Sequence, residues 1–228
     1  MDCNAVMKKL KSMSNPEKVK SMEWYGNKSK DIKYGVWTPD LRKLSKEIGR
    51  NHVLALELWK TGVHDAKVLA TMTASPQQLT EDQMENWVKN IDSWGLCDHA
   101  CGNLFDKTPF AYRKAAEWTS REREYEKRAG FALIAYLAVH DKTAADSRFI
   151  RFLGIIKKES HDERNFVKKA VNWALREIGK RNHSLNKAAI QTAKEIRQSG
   201  KGKWIAADAI RELQSDAVQR RLKLKLAK

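Results

Sequence analysis

The sequence predicts an all-α protein, and three observations carry that prediction. Helix-start signals recur along the whole chain, apolar residues between them return at helical spacing, and no segment shows convincing strand alternation. The low count of turn formers, 4 Pro and 11 Gly in 228 residues, argues against a sandwich or barrel of short strands. Hydrophobic residues make up 42% of the chain, enough for a real core and too many for a disordered polyelectrolyte.

The elements follow from their start signals. Ser14-Asn15-Pro16-Glu17 has the form of a capping box with Pro in the first turn. Thr38-Pro39-Asp40 predicts a Thr cap, a Pro and an acidic first turn before Leu41 to Ile48. Thr80 with Gln83, and Ser160 with Glu163, fit the same cap pattern. Thr108-Pro109 opens the stretch that ends near Trp118. Phe166, Ala170, Trp173, Ala174 and Ile178 then mark one face of a helix.

Short polar links between these helices predict helical hairpins. Lys127-Arg128-Ala129 with Phe131-Ala132-Leu133 is echoed by Lys168-Lys169-Ala170 with Trp173-Ala174-Leu175. That spacing falls in the period of roughly 40 to 47 residues expected of HEAT or armadillo hairpins. Stacked hairpins bury their apolar faces against one another and give a curved solenoid with a concave face. On pattern alone, a compact irregular helical domain fits as well. The chain is expected to form a single domain over 1–228, with a basic tail at about 220–228 that frays or extends the last helix.

The 44 Lys and Arg against 28 Asp and Glu leave a formal charge of +16, and residues 151–228 carry +12 of it. Residues 51–100 are net −4. A balance of this kind points to a polyanion, nucleic acid first and an anionic membrane surface second; the plain alternative is a solvated basic surface. The longest apolar run, Phe131 to Val139, is too short to span a bilayer, and Met1 to Leu10 lacks a signal-peptide pattern. A soluble intracellular protein is expected. Three cysteines do not make a disulfide framework.

Eight tryptophans are many for this length, and most are expected in the core or packed between repeats. Two stand out. Trp94 precedes Asp98 by four residues, so both lie on one helical face. An indole face attracts a cation, and an alkylated nucleobase is cationic. A neighbouring carboxylate stabilises the positive sugar that forms as a glycosidic bond breaks, and orients water. Against that stands a plain role for Asp98 as a helix cap or as the ion-pair partner of Arg128. Trp173 lies within the most basic stretch. Arg128, among Glu122, Glu124 and Glu126, has the setting of a solvated ion pair. Cys97 and Cys101, one turn apart around His99, lack a second ligand pair, so buried small residues are the better reading than a metal site. The usual signatures of nucleotide-binding loops, serine hydrolases and zinc peptidases do not occur.

Taken together, these segments resemble the AlkD-type DNA alkylation repair glycosylases. The resemblance runs through Asn15-Pro16-Glu17-Lys18, Met22-Glu23-Trp24-Tyr25, Gly35 to Arg42, Ser93 to Asp98, Lys127-Arg128-Ala129 and Phe166 to Lys180. It implies a right-handed α-solenoid of HEAT-like repeats with a basic concave face that cradles duplex DNA. It implies a monofunctional glycosylase of base excision repair, releasing cationic alkylated purines such as 3-methyladenine and 7-methylguanine without a base-flipping pocket. By position, Trp94 and Trp173 match indoles that contact the deoxyribose, and Asp98 matches the catalytic carboxylate. Arg128 matches the arginine that holds the phosphate near the lesion and pairs with that carboxylate. Tyr25 matches an aromatic at the opposite edge of the duplex. Lys168 and Lys169 are expected to contact phosphates. The resemblance further implies a cytoplasmic, nucleoid-associated monomer with no cofactor, no metal and no membrane partner. Two departures stand out: Gly95 replaces a polar residue after the first indole, and Trp37 replaces a smaller or polar one.

Overall fold

The computed structural model describes residues 1–226, with side chains described through residue 224. Fourteen α-helices and one 3-10 turn account for nearly all of the described regular structure. Among the described residues, β pairing is limited to one isolated bridge, Ile32 with Val63. The all-α expectation is therefore met. No described helix is long and apolar enough to cross a membrane. The chain divides into two compact units, Met1–Phe110 and Ala111–Lys228.

The first unit holds α1 (Cys3–Ser12), α2 (Pro16–Trp24), α3 (Thr38–Ile48), α4 (His52–Trp59), α5 (His64–Thr73), α6 (Glu81–Lys89) and α7 (Trp94–Asn103). Helix α5 is the centre of this unit. It packs against α3, α4 and α7, and all but one of its ten residues are buried. Trp59 of α4 and Trp87 of α6 stack face to face, 4.0 Å between centroids. The long link from α2 to α3 is bound down by carboxylates. Asp65 accepts from the backbone N–H groups of Tyr34 and Val36 at 2.7 and 2.8 Å, and Asp92 accepts from Ser29 Oγ and the Lys30 N–H at 2.8 and 2.7 Å.

The second unit is a stack of hairpins: α8 (Ala111–Trp118) with α9 (Glu124–His140), α10 (Asp146–Glu159) with α11 (Asn165–Gly179), and α12 (His183–Gln198) with α13 (Lys203–Leu213). The second helices pack on one another in the order α9, α11, α13, and α10 packs on α12. The α9–α11 contact is the most extensive helix pairing described, and these two helices carry the echoed sequence segments. Gly130 lets α9 approach α8. A Cβ there would lie 2.6 Å from the Thr119 nitrogen and 3.0 Å from the Ala115 carbonyl oxygen. The tail extends the last helix, α14 (Asp216–Leu226), and residues 227–228 lie outside the described residues.

Several start signals land elsewhere than expected. The cap of α2 is Asn15, whose Oδ1 accepts from the Lys18 N–H at 3.0 Å, with Pro16 in the first turn; Ser14 is one residue too early. Thr38 is already helical, and α3 begins after Trp37 with no side-chain cap. Ser160 ends α10, its hydroxyl donating back to the Lys157 carbonyl, and α11 starts only after Arg164. Thr108 closes the 3-10 turn Phe105–Lys107, so α8 opens at Ala111 and ends at Trp118. Only Thr80 and Gln83 form the full reciprocal box, at 3.2 and 3.0 Å.

The tryptophans divide three ways. Trp59, Trp87 and Trp118 are core, Trp94 and Trp173 are half-buried, and Trp24, Trp37 and Trp204 are exposed.

Candidate DNA-contacting site

In the first unit the candidate residues meet at the start of α7. Ser93 caps the helix, its hydroxyl accepting from the Leu96 N–H at 3.4 Å. Trp94 follows as the first helical residue and Asp98 comes one turn later; both are half-buried and share one face of the helix. The indole does not swing freely. Its Nε1–H donates to the Tyr25 carbonyl at 3.2 Å, joining α7 to the end of α2. Tyr25 itself is 70% exposed.

Gly95 is explained by the same junction. Its N–H donates to Asn27 Oδ1 at 3.2 Å, and a Cβ would lie 2.7 Å from Asn27 Nδ2 and 2.9 Å from Oδ1. Asn27 is buried. Any side chain at position 95 therefore collides with the loop that holds Trp94. Beside Asp98, burial above all pushes the His99 imidazole down to about 4, helped by the charges of His64 and Arg42. Its ring is neutral at physiological pH and accepts no role as a cation beside the carboxylate. Cys97 and Cys101 are fully buried, and burial, with Cys97 next to it, pushes the Cys101 thiol well up, as suits inert core residues.

In the second unit the structure brings α9 and α11 together around Arg128 and Trp173. Arg128 is buried rather than solvated, a correction to the sequence expectation, and its Nη1 donates to the Phe166 carbonyl at 2.7 Å. Trp173 is held edge-on by Tyr136 of α9, 5.0 Å between centroids and 80° between planes. Lys168 is half-buried, 3.6 Å from the Glu163 carboxylate, and Lys169 is exposed.

Sequence reasoning missed the groups that hold these residues in place. Lys127, the neighbour of Arg128, is buried between Glu159 at 2.7 Å and Asp162 at 3.0 Å. Burial raises the Asp162 carboxyl, but hydrogen bonds from Arg164 and Lys127 outweigh it and hold the carboxyl well below the usual range. Asn27, Asp65 and Tyr136 were equally invisible, because each acts on a partner distant in sequence. Only Asp92, two residues before Trp94, carried a local signal: an acidic residue just ahead of a helix start.

The model of the DNA alkylation repair enzyme family matches residues 6–213. The chain belongs to that family. An uncharacterized protein of Listeria innocua serovar 6a is 23% identical over 190 residues, covering 82% of this chain and 83% of its own. Among solved structures, one superposes with a TM-score of 0.78 at 25% identity, covering 86% of this chain and 83% of its own. It is described as a new family of proteins related to the HEAT-like repeat DNA glycosylases with affinity for branched DNA structures. The stacked hairpins are thus of the HEAT-like type, as the spacing of the echoed segments predicts.

Proposed function

We propose that this member of the family is a monofunctional DNA glycosylase that hydrolyses the N-glycosidic bond of cationic alkylated purines, 3-methyladenine and 7-methylguanine, in duplex DNA. The observation that supports this reading is the half-buried indole–carboxylate pair on α7. Trp94 is fixed by the Tyr25 carbonyl, and Asp98 sits one turn along on the same face. A carboxylate is repelled by phosphates, so one set beside an aromatic ring on a DNA-facing helix is read as having a chemical role. As the bond to the base breaks, positive charge collects on the deoxyribose. Asp98 stabilises that charge and orients the water that adds to the sugar carbon, while the electron pair of the broken bond leaves with the base. Because the departing base is already cationic, it leaves neutral and needs no general acid.

Trp94 supplies an indole face to the developing sugar cation, and the resemblance to the family gives Trp173 a like role. Arg128, Tyr25, Lys168 and Lys169 hold the DNA, Arg128 at the phosphate next to the lesion. Grip on the backbone by Lys and Arg makes binding fall steeply with salt. The protein acts as a cytoplasmic, nucleoid-associated monomer. The test is release of free bases from methylated duplex DNA, resolved by chromatography. Release of 3-methyladenine or 7-methylguanine is expected, and no release at any pH at which the protein remains folded overturns the reading.

A second reading has its own support. The structural neighbour with affinity for branched DNA favours a non-catalytic binder of DNA structure. Such a protein binds a four-way junction tightly and leaves methylated bases attached. A protein-interaction scaffold, by contrast, binds no DNA in a salt-dependent way.

A further inference from the structure

The second unit contains a cavity of about 460 Å³, and no residue of the candidate site lines it. Small-molecule sites run from roughly 300 to 1,000 Å³, so this one is large enough for a ligand. Its walls are the last turn of α9, the α9–α10 turn, the α11–α12 turn and α14. Ala138, Val139 and Ala144 make part of the lining apolar.

The walls are held in place. Asp141 Oδ1 accepts from the Thr143 and Ala144 N–H groups at 3.2 and 2.9 Å. Arg181 donates to the carbonyls of Ala138, Asp141 and Ala144 at 2.8, 2.7 and 3.2 Å. Lys142, which lines the cavity, sits in the middle of this bound turn. Across the chain, Gln219 Nε2 fixes α14 by donating to Asn186 Oδ1 at 3.2 Å and to the Leu213 carbonyl at 2.7 Å, and Leu222 is buried. Arg221, also in the lining, lies between those two anchors. Walls fixed in this way remove an ordering cost from binding.

Four cations line the cavity, Lys142, Lys180, Arg181 and Arg221, against two carboxylates, Asp146 and Glu177. Both carboxylates are engaged. Glu177 pairs with Lys180 at 2.8 Å, and Asp146 accepts from Asn182 Nδ2 at 2.9 and 3.0 Å and lies in the field of Arg181. Lys180 is also bound to Glu212, and Arg181 to its three carbonyls. Lys142 and Arg221 differ. Both are exposed, and neither side chain has a hydrogen bond or ion pair among the described residues. Two cations left open on two walls of one cavity select a dianion. A guanidinium meets phosphate oxygens through paired N–H bonds, and an ammonium adds a point charge.

We propose that this cavity binds a phosphate monoester, with Arg221 and Lys142 on the phosphate and the apolar lining against the group it esterifies. A phosphodiester within an unbroken strand carries a single charge and matches only one of the two cations. Free nucleotides and the phosphorylated 5′ ends of DNA strands both offer the monoester.

The experiment is calorimetric titration of the intact protein at low ionic strength with deoxyadenosine monophosphate and, as control, deoxyadenosine. The monophosphate is expected to bind and the nucleoside not. Arg221→Gln and Lys142→Gln should each weaken the monophosphate by about tenfold or more, and Lys89→Gln, an exposed lysine of the first unit, by less than about twofold. Residues 142 and 221 are exposed, so neither substitution threatens folding. Oligothymidylates with a 5′ phosphate or a 5′ hydroxyl separate the two sources. A preference for the phosphorylated strand that Arg221→Gln abolishes assigns the cavity to strand ends; equal binding of both strands, with the monophosphate still bound, assigns it to free nucleotides. No binding of the monophosphate, wild-type affinity in Arg221→Gln and Lys142→Gln, or an equal loss in Lys89→Gln overturns the proposal. Base release plays no part in this site, so its absence would sink the glycosylase reading alone.

Discussion

Gly95→Ala tests how Trp94 is held. The backbone at residue 95 has no positive φ, so alanine fits the helix, and by propensity alone it stabilises by at most about 1 kcal/mol. Against this stands the Cβ placed 2.7 Å from Asn27 Nδ2, 2.9 Å from Oδ1 and 3.0 Å from Cγ. Asn27 is 6% exposed, and its backbone N–H is bound to the Met22 carbonyl at 2.8 Å, so its side chain has little room to retreat. Overpacking of this kind costs about 1–3 kcal/mol, and losing the Gly95 N–H to Asn27 bond about 1 kcal/mol more. The net is a destabilisation of about 2 kcal/mol, which for a chain of this size lowers the melting temperature by about 4–8 °C. The assay is a thermal melt of Gly95→Ala beside Asn27→Ala and the double variant. The double variant removes the colliding amide, so it should be more stable than the sum of the single costs, by about 1 kcal/mol. A Gly95→Ala protein that melts at or above the wild-type temperature, or strictly additive costs, would refute the argument.

Trp94→Phe keeps a ring and removes the indole donor to the Tyr25 carbonyl, a loss of about 1 kcal/mol in stability. Base release should fall by about fivefold or more while the melting temperature moves only slightly; wild-type release from this variant would show that the anchored indole is dispensable. Gly130→Ala meets backbone rather than a side chain, so it should lower the urea unfolding midpoint by about 2 kcal/mol or more in stability; an unchanged midpoint would contradict the close α8–α9 approach. The Asp162 carboxyl is held below its unfolded value, so the stability it contributes is complete above about pH 4 and is lost as pH falls through its folded pKa. Melting temperatures should therefore drop below about pH 4, and Asp162→Asn should flatten that drop while lowering stability at neutral pH. An equally steep acid loss in Asp162→Asn would assign the effect to other carboxylates.

The parts of the fold legible in the sequence are those written locally. Of the residues Phe166, Ala170, Trp173, Ala174 and Ile178, the spacing places Ala170, Ala174 and Ile178 on the buried side of α11 with Phe166 and Trp173 half-buried beside it, and Thr80 with Gln83 is a working capping box. Ser160 shows the limit: its hydroxyl has an alternative acceptor in the turn before it, at Lys157, so the same residue types end a helix rather than start one. Trp94 and Asp98 were legible because four residues on a helix fix a shared face whatever surrounds them. Arg128 was read as solvated because its neighbours in sequence are glutamates, whereas its burial comes from α11, which starts 37 residues later. Gly95 stood out only as a departure from the family pattern for the same reason. The residue that requires it, Asn27, is 68 positions away.

The most direct measurement compares wild type with Asp98→Asn on one methylated duplex, following base release and binding in the same samples. The substitution keeps size and removes charge. If the carboxylate stabilises the sugar cation, release falls by about a hundredfold or more while DNA affinity stays level or rises. Release by Asp98→Asn at the wild-type rate, with binding unchanged, would contradict the assignment of Asp98 as the catalyst.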